Sequence, residues 1–102
     1  MEKFTLYLGL NDKDTKQQKI DTIEAYKIVE NIITEKFDGG TISHATGVYK
    51  HDDGTIVREE TLRIELLFTT HEAVVKLCNM LKIIFNQESI ALQQDVINSE
   101  LI

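Results

Sequence analysis

Residues 41–68, TISHATGVYKHDDGTIVREETLRIELLF, decide how the rest of the chain must be read. In the first half Ile42, His44, Thr46 and Val48 share one side, with Ser43, Ala45, Gly47 and Tyr49 on the other. In the second half Leu62, Ile64 and Leu66 alternate with Thr61, Arg63 and Glu65. A period of two marks extended chain, because successive strand side chains point to opposite faces. Between the halves, residues 51–55 form a turn in which Asp53 and Gly54 supply the pair that tolerates positive φ. The stretch therefore predicts a hairpin with long arms, Thr41 to Lys50 and Ile56 to about Phe68, whose tip projects beyond whatever packs on it.

Outward toward the N-terminus, Phe4, Leu6, Leu8 and Leu10 alternate with Thr5, Tyr7 and Gly9, which predicts a half-buried first strand. Asn11 to Lys19 is polar and aperiodic and reads as a solvated loop. A helix begins at about Asp21, which caps it, with Glu24 three residues on in a capping-box arrangement. Ala25, Tyr26, Val29, Ile32, Ile33 and Phe37 form its apolar stripe, leaving Ile23 and Ile28 outside it. Asp38, Gly39 and Gly40 end it, with glycine expected to take the left-handed closing conformation. Toward the C-terminus, Thr69 and Glu72 announce a second helix with Val74, Leu77, Cys78, Leu81, Ile84 and Phe85 on its stripe and Val75 outside it. Ile90, Leu92 and Val96 then suggest a last strand with Gln94 at an inward position.

The order β, α, β, β, α, β with two amphipathic helices predicts one α+β domain over residues 1–102, a ferredoxin-like split βαβ fold. Both helices cover one face of a four-stranded antiparallel sheet, and right-handed crossovers place the first and third strands in the centre. The opposite face is left open.

Composition narrows the setting. The 102 residues hold 11 Lys and Arg against 17 Asp and Glu, a formal charge of −6, most of it after His51. No basic stripe is present to neutralise phosphates, so direct nucleic-acid binding is not expected. No apolar run approaches the roughly 20 residues that cross a bilayer, and Met1 to Leu10 lacks the unbroken apolar stretch of a secretion signal. The expected setting is cytoplasmic, without membrane association. The lone Cys78 has no partner for an internal disulfide.

Several short stretches carry a resemblance. Leu6-Tyr7-Leu8-Gly9, Gly47-Val48-Tyr49, Asp53-Gly54, Val57-Arg58-Glu59 and Phe85 with Gln87-Glu88-Ser89 occur in this order over most of the chain. The sequence thereby resembles a group of small uncharacterised bacterial and phage domains with Leu-Tyr-Phe-Gly, Val-Arg-Glu and Phe-x-Gln-Glu-Ser patterns. It departs from them at Leu8, where the group has phenylalanine, and in the loop after the first strand. The resemblance implies the fold and assigns no catalytic residue.

Candidate chemistry is sparse. Cys78 lies on an apolar stripe, whereas a nucleophilic thiolate needs exposure and a positive neighbour. Asp12 and Asp14 suggest calcium, but an EF-hand counted from Asp12 needs glycine and a bidentate acid where Gln17 and Ile23 stand. His51, Asp52 and Asp53 lack the ligand spacing of a structural zinc site. Gln87, Glu88 and Ser89 read as a helix terminus, with Glu88 available to pair with Arg58 or Arg63; Ser89 has no neighbouring base. No catalytic triad, phosphate loop or dinucleotide fingerprint occurs. No catalytic residue, metal or cofactor is therefore expected.

Tyr7, Tyr49, Arg58, Glu60, Arg63 and Glu65 make an alternating-charge, tyrosine-bearing surface suited to a protein contact. The functional expectation is a non-catalytic protein-binding module that self-associates as a homo-oligomer or binds a protein partner. A sharper version is an acidic phage or mobile-element inhibitor of a host nucleic-acid-binding enzyme. The alternative is an oligomeric small-molecule sensor built on the same fold, with the loop after the first strand and the hairpin forming an intersubunit pocket. An enzyme reading, a cofactor-free oxygenase with a cleft lined by His44 or Tyr49, ranks third.

Overall fold

The computed structural model describes all 102 residues. Strand β1 (Glu2–Gly9) leads to helix α1 (Thr22–Lys36), the hairpin β2 (Thr41–Lys50) and β3 (Ile56–Leu66), helix α2 (His71–Ile84) and strand β4 (Ala91–Val96). The sheet order is β2-β3-β1-β4 with every neighbouring pair antiparallel, so β1 and β3 are central as expected. This is the α+β, ferredoxin-like arrangement.

Register places even-numbered residues on the helix side. Leu6 stands opposite both Ile64 and Leu92, and Ile42 stands opposite Ile64. Phe4, Leu6, Leu8, Leu62, Ile64 and Leu66 are fully buried there. They form one cluster with Ala25, Val29 and Ile33 of α1 and Val74, Leu77 and Leu81 of α2, so both helices cover the same face. Each such Leu or Ile contributes roughly 1.5–3 kcal/mol by leaving water. No helix is long and apolar enough to cross a membrane.

Local chemistry sets the element ends. The Asp21 carboxylate accepts the Ile23 N–H at 3.2 Å and caps α1. At the other end the left-handed residue is Asp38 (φ 62°), not either glycine; aspartate visits this region more readily than most side chains. Gly40 is needed for room, because a Cβ there lies 2.8 Å from Leu66 Cδ2. Strand β3 stops at Leu66 because Phe68 turns the chain with φ 57°. That turn moves the α2 cap one residue on from Thr69, to Thr70, whose hydroxyl accepts the Ala73 N–H at 3.2 Å. In the hairpin turn Gly54 takes φ 91° and the Asp53 carboxylate accepts the Thr55 N–H, which holds its pKa below the ordinary value.

The stripe edges differ from expectation. Tyr26 and Ile84 are exposed, while Ile28 packs against the core. Strand β4 is present, and Gln94, opposite Phe4, reaches out to donate to Glu2 Oε1 at 2.7 Å. The molecule measures 47 × 25 × 23 Å.

Candidate active site

Beyond Gly9 the sheet opens. Gly47 of β2 stands opposite Glu59 of β3, and the β1 side is continued by Leu10, whose N–H bonds the Glu60 carbonyl at 3.0 Å. Glu59 therefore rises from the open face between two backbone segments. Its carboxylate lies over Gly9 and accepts the Asn11 N–H through Oε2 at 3.0 Å.

The loop after β1 is exposed over residues 13–17, as expected, but it is anchored at Asp12. Asp12 is buried, and its carboxylate accepts the Asp14 and Thr15 N–H groups, each at 2.9 Å, and Asn86 Nδ2 at 2.8 Å. The Thr15 N–H, then the Asn86 amide, hold its pKa well below the usual carboxylate range, with smaller help from Asp14 N–H and Lys19. Asn86, with φ 48° just after α2, also donates to Asp14 Oδ2, and its carbonyl accepts the Lys13 N–H. Gln87 Nε2 donates to the Asn11 carbonyl at 2.6 Å. The end of α2 thus clamps the loop to the sheet.

These segments enclose a cleft of about 250 Å³. Asn11, Asp12, Lys13 and Lys16 form one wall, and Tyr49 and His51 of the hairpin form another. Glu59 lies between them, and Gln87, Glu88 and Ser89 close the side nearest β4. Tyr49 and His51 meet edge to face, with ring centroids 5.5 Å apart. Of the three carboxylates, Asp12 is fully used in holding the loop. Glu59 keeps one oxygen without a protein donor, and Glu88 is exposed. A larger hollow of about 490 Å³ at the opposite end of the sheet is lined by Phe37, Leu67, Phe68 and Leu101 together with Lys3, Asp38, Thr41 and Glu65. Nine of the eleven residues lining the cleft are polar or charged, so a ligand there is recognised by hydrogen bonds and charge more than by apolar burial.

Tyr7, Tyr49, Arg63 and Glu65 do share the open face. Arg58 and Glu60, being even-numbered, project to the other side, where Glu60 pairs with His44. Tyr7 lies beside Arg63 and, with Glu65, holds its guanidinium more firmly protonated than usual. Arg63 pairs with Glu65 and not with Glu88. Of that set only Tyr49 lines the cleft. Cys78 is half-buried, and burial pushes its thiol up. Glu59, Gln87 and Glu88 were not expected at a site. The signal that could have found them was their presence, with Gly9 and Tyr49, in the stretches carrying the resemblance: Gly9 underlies Glu59, and the other four line this one cleft.

The fold matches solved enzymes. A phage SAM lyase in complex with S-methyl-5′-thioadenosine superposes with a TM-score of 0.62 at 22% identity, over 92% of this chain and 79% of that one. The same enzyme class in its apo state gives a TM-score of 0.60 at 18% identity, over 92% and 78%. The likeness is one of fold, and it runs against the non-catalytic binding module, inhibitor or sensor expected from the sequence, since the solved proteins it matches are enzymes. Among curated proteins none matches the sequence. Residues 3–99 match the model of a protein family of unknown function, DUF3574, and the chain belongs to that family.

Proposed function

We propose that the protein is a small lyase acting on an S-adenosyl sulfonium, with the cleft around Glu59 as its active site. The observation that carries this reading is a carboxylate fixed in a cleft, with one oxygen unspent, on the fold of phage SAM lyases. The step balances within the substrate: an oxygen of its own carboxylate attacks the carbon bonded to sulfur, and the C–O bond forms as the C–S bond breaks. The C–S electron pair goes to sulfur, and a lactone and a neutral thioether depart. S-methyl-5′-thioadenosine, the ligand of the phage enzyme, is a thioether of this kind.

In this reading Glu59 draws the cationic substrate into the cleft and orients it. The charge on sulfur fades as the bond breaks, so a carboxylate facing it favours the bound substrate more than the transition state. Its rate benefit comes from fixing the reacting geometry. The Tyr49 ring offers a face for the purine or the sulfonium, and the exposed Glu88 suits the substrate's ammonium group. Purified protein incubated with S-adenosylmethionine should release S-methyl-5′-thioadenosine, measured by chromatography. Glu59→Gln, which weakens the hold on the cationic substrate and loosens the reacting geometry, should lower kcat/KM about 100-fold. No product from the wild type, together with no thermal shift on adding S-methyl-5′-thioadenosine, overturns the proposal.

A homo-oligomeric, cytoplasmic protein of phage or mobile-element type is part of the same reading. Val48, Tyr49 and Ile56 leave apolar surface uncovered on the projecting hairpin, and pairing with another copy would bury it. Size-exclusion chromatography with light scattering at micromolar concentrations tests this, and a strict monomer removes it.

A further inference from the structure

We infer that Gly9 and Gln87 are positioning residues for Glu59, Gly9 by the space it leaves and Gln87 by anchoring the backbone of Asn11, whose N–H meets the carboxylate; the assignment rests on Glu59 being the active-site carboxylate. Gly9 is an ordinary strand residue paired with Thr61, and Gly54 is the sole glycine at positive φ. Conformational freedom is therefore not what position 9 requires. Room is: a Cβ there would stand 2.6 Å from Glu59 Cδ and Oε1 and 2.8 Å from Oε2. Any other residue displaces the carboxylate from the place where the Asn11 N–H reaches it. Gly47, on the opposite flank, leaves the carboxylate alone, since a Cβ there meets Glu59 at Cγ and at its backbone oxygen, each 3.7 Å away, and Thr61 Oγ1 at 3.0 Å.

The donor side is held as firmly. The Asn11 N–H binds Glu59 Oε2 while the Asn11 carbonyl accepts from Gln87 Nε2. One residue is thus clasped between β3 and the end of α2, segments 48 and 76 residues away from it in sequence. Space beneath and a donor at one oxygen leave Oε1 as the atom free to meet a substrate.

A double-mutant cycle tests the first half of this inference without calling on activity. Gly9→Ala should lower Tm by no more than the Asn11–Glu59 hydrogen bond is worth in the wild-type background, because the flexible carboxylate can swing aside, and hardly at all in Glu59→Ala, where that bond is already gone. Losses that simply add overturn the role of Gly9. For the second half, the Asn11 amide proton resonance should move upfield in Glu59→Ala and also in Gln87→Glu, which is isosteric but lacks the donor. An unmoved resonance in Gln87→Glu overturns the role of Gln87. With S-adenosylmethionine as substrate, a misplacement of the order of 1 Å should cost about 100-fold in kcat/KM for Gly9→Ala, with no further loss when it is added to Glu59→Ala. A wild type without lyase activity would defeat the functional proposal alone, because the Tm cycle and the amide resonance still decide the positioning roles.

Discussion

Strand β3 passes through two environments. From Thr61 to Leu66 one face is sealed under both helices, so Leu62, Ile64 and Leu66 are fully buried while Arg63 and Glu65 stay partly in water on the reverse side. From Ile56 to Glu60 the same alternation continues with no helix above it, and Ile56 is 53% exposed. In the sealed half, side-chain identity is dictated by burial. In the free half it is not, and there the strand carries Glu59 into the cleft. One strand thus supplies both the centre of the core and the centre of the candidate site, and the change comes where the helices stop.

The largest way to break this contrast is to empty the sealed face. Ile64→Ala removes a fully buried side chain at the crossing of β1, β2 and β3 and should cost about 2–5 kcal/mol, read from urea unfolding. A loss under 1 kcal/mol would mean that the core lies elsewhere. The clamp between the loop and α2 ranks next, and its signature is a pH dependence. The folded-state pKa of Asp12 lies below its unfolded value. Its contribution is therefore present in full above the unfolded pKa of about 3.9 and fades as pH falls toward the folded value. The stability gap between wild type and Asp12→Asn should be constant from pH 7 to pH 5 and narrow below about pH 4. A gap that widens on acidification would contradict the clamp. Thr70→Ala, which removes the α2 cap, should cost about 1 kcal/mol at any pH in this range, checked by the shift in urea midpoint.

The same division explains what could be read from the sequence. Helix stripes and strand alternation survive as periodicities because burial acts on every second or every third to fourth residue. They gave the element order, the central strands and the helix-covered face. Element ends were less legible. Asp38 and Phe68 take positive φ through tertiary placement, which moved a helix end away from Gly39 and a cap from Thr69 to Thr70. The candidate site was least legible, since Gly9, Asn11, Glu59 and Gln87 are brought together by register and by long-range bonds between segments far apart in sequence. Glu59 looked like one charge in an alternating run, and Gln87-Glu88-Ser89 looked like a helix terminus. Both descriptions are correct locally and miss the meeting point. Pairing Gly47 with Glu59 by counting back along the hairpin would have shown the carboxylate flanked by a residue without a side chain.

The smallest expected effect comes from the residue beside Ile64. Arg63 is one position away on the same strand, yet it points to the open face, where it meets Tyr7 and the Glu65 carboxylate. A partly solvated pair of this kind loses much of its Coulomb attraction to water and salt. Arg63→Ala should therefore destabilise less than Thr70→Ala and far less than Ile64→Ala, and raising the salt concentration should shrink even that difference. The methylene stem of an arginine can pack as well as carry charge, so a residual loss that persists at high salt is the packing share of the effect. If Arg63→Ala instead matched Ile64→Ala, the open face would have to be sealed in solution, and the asymmetry between the two faces of β3 would disappear.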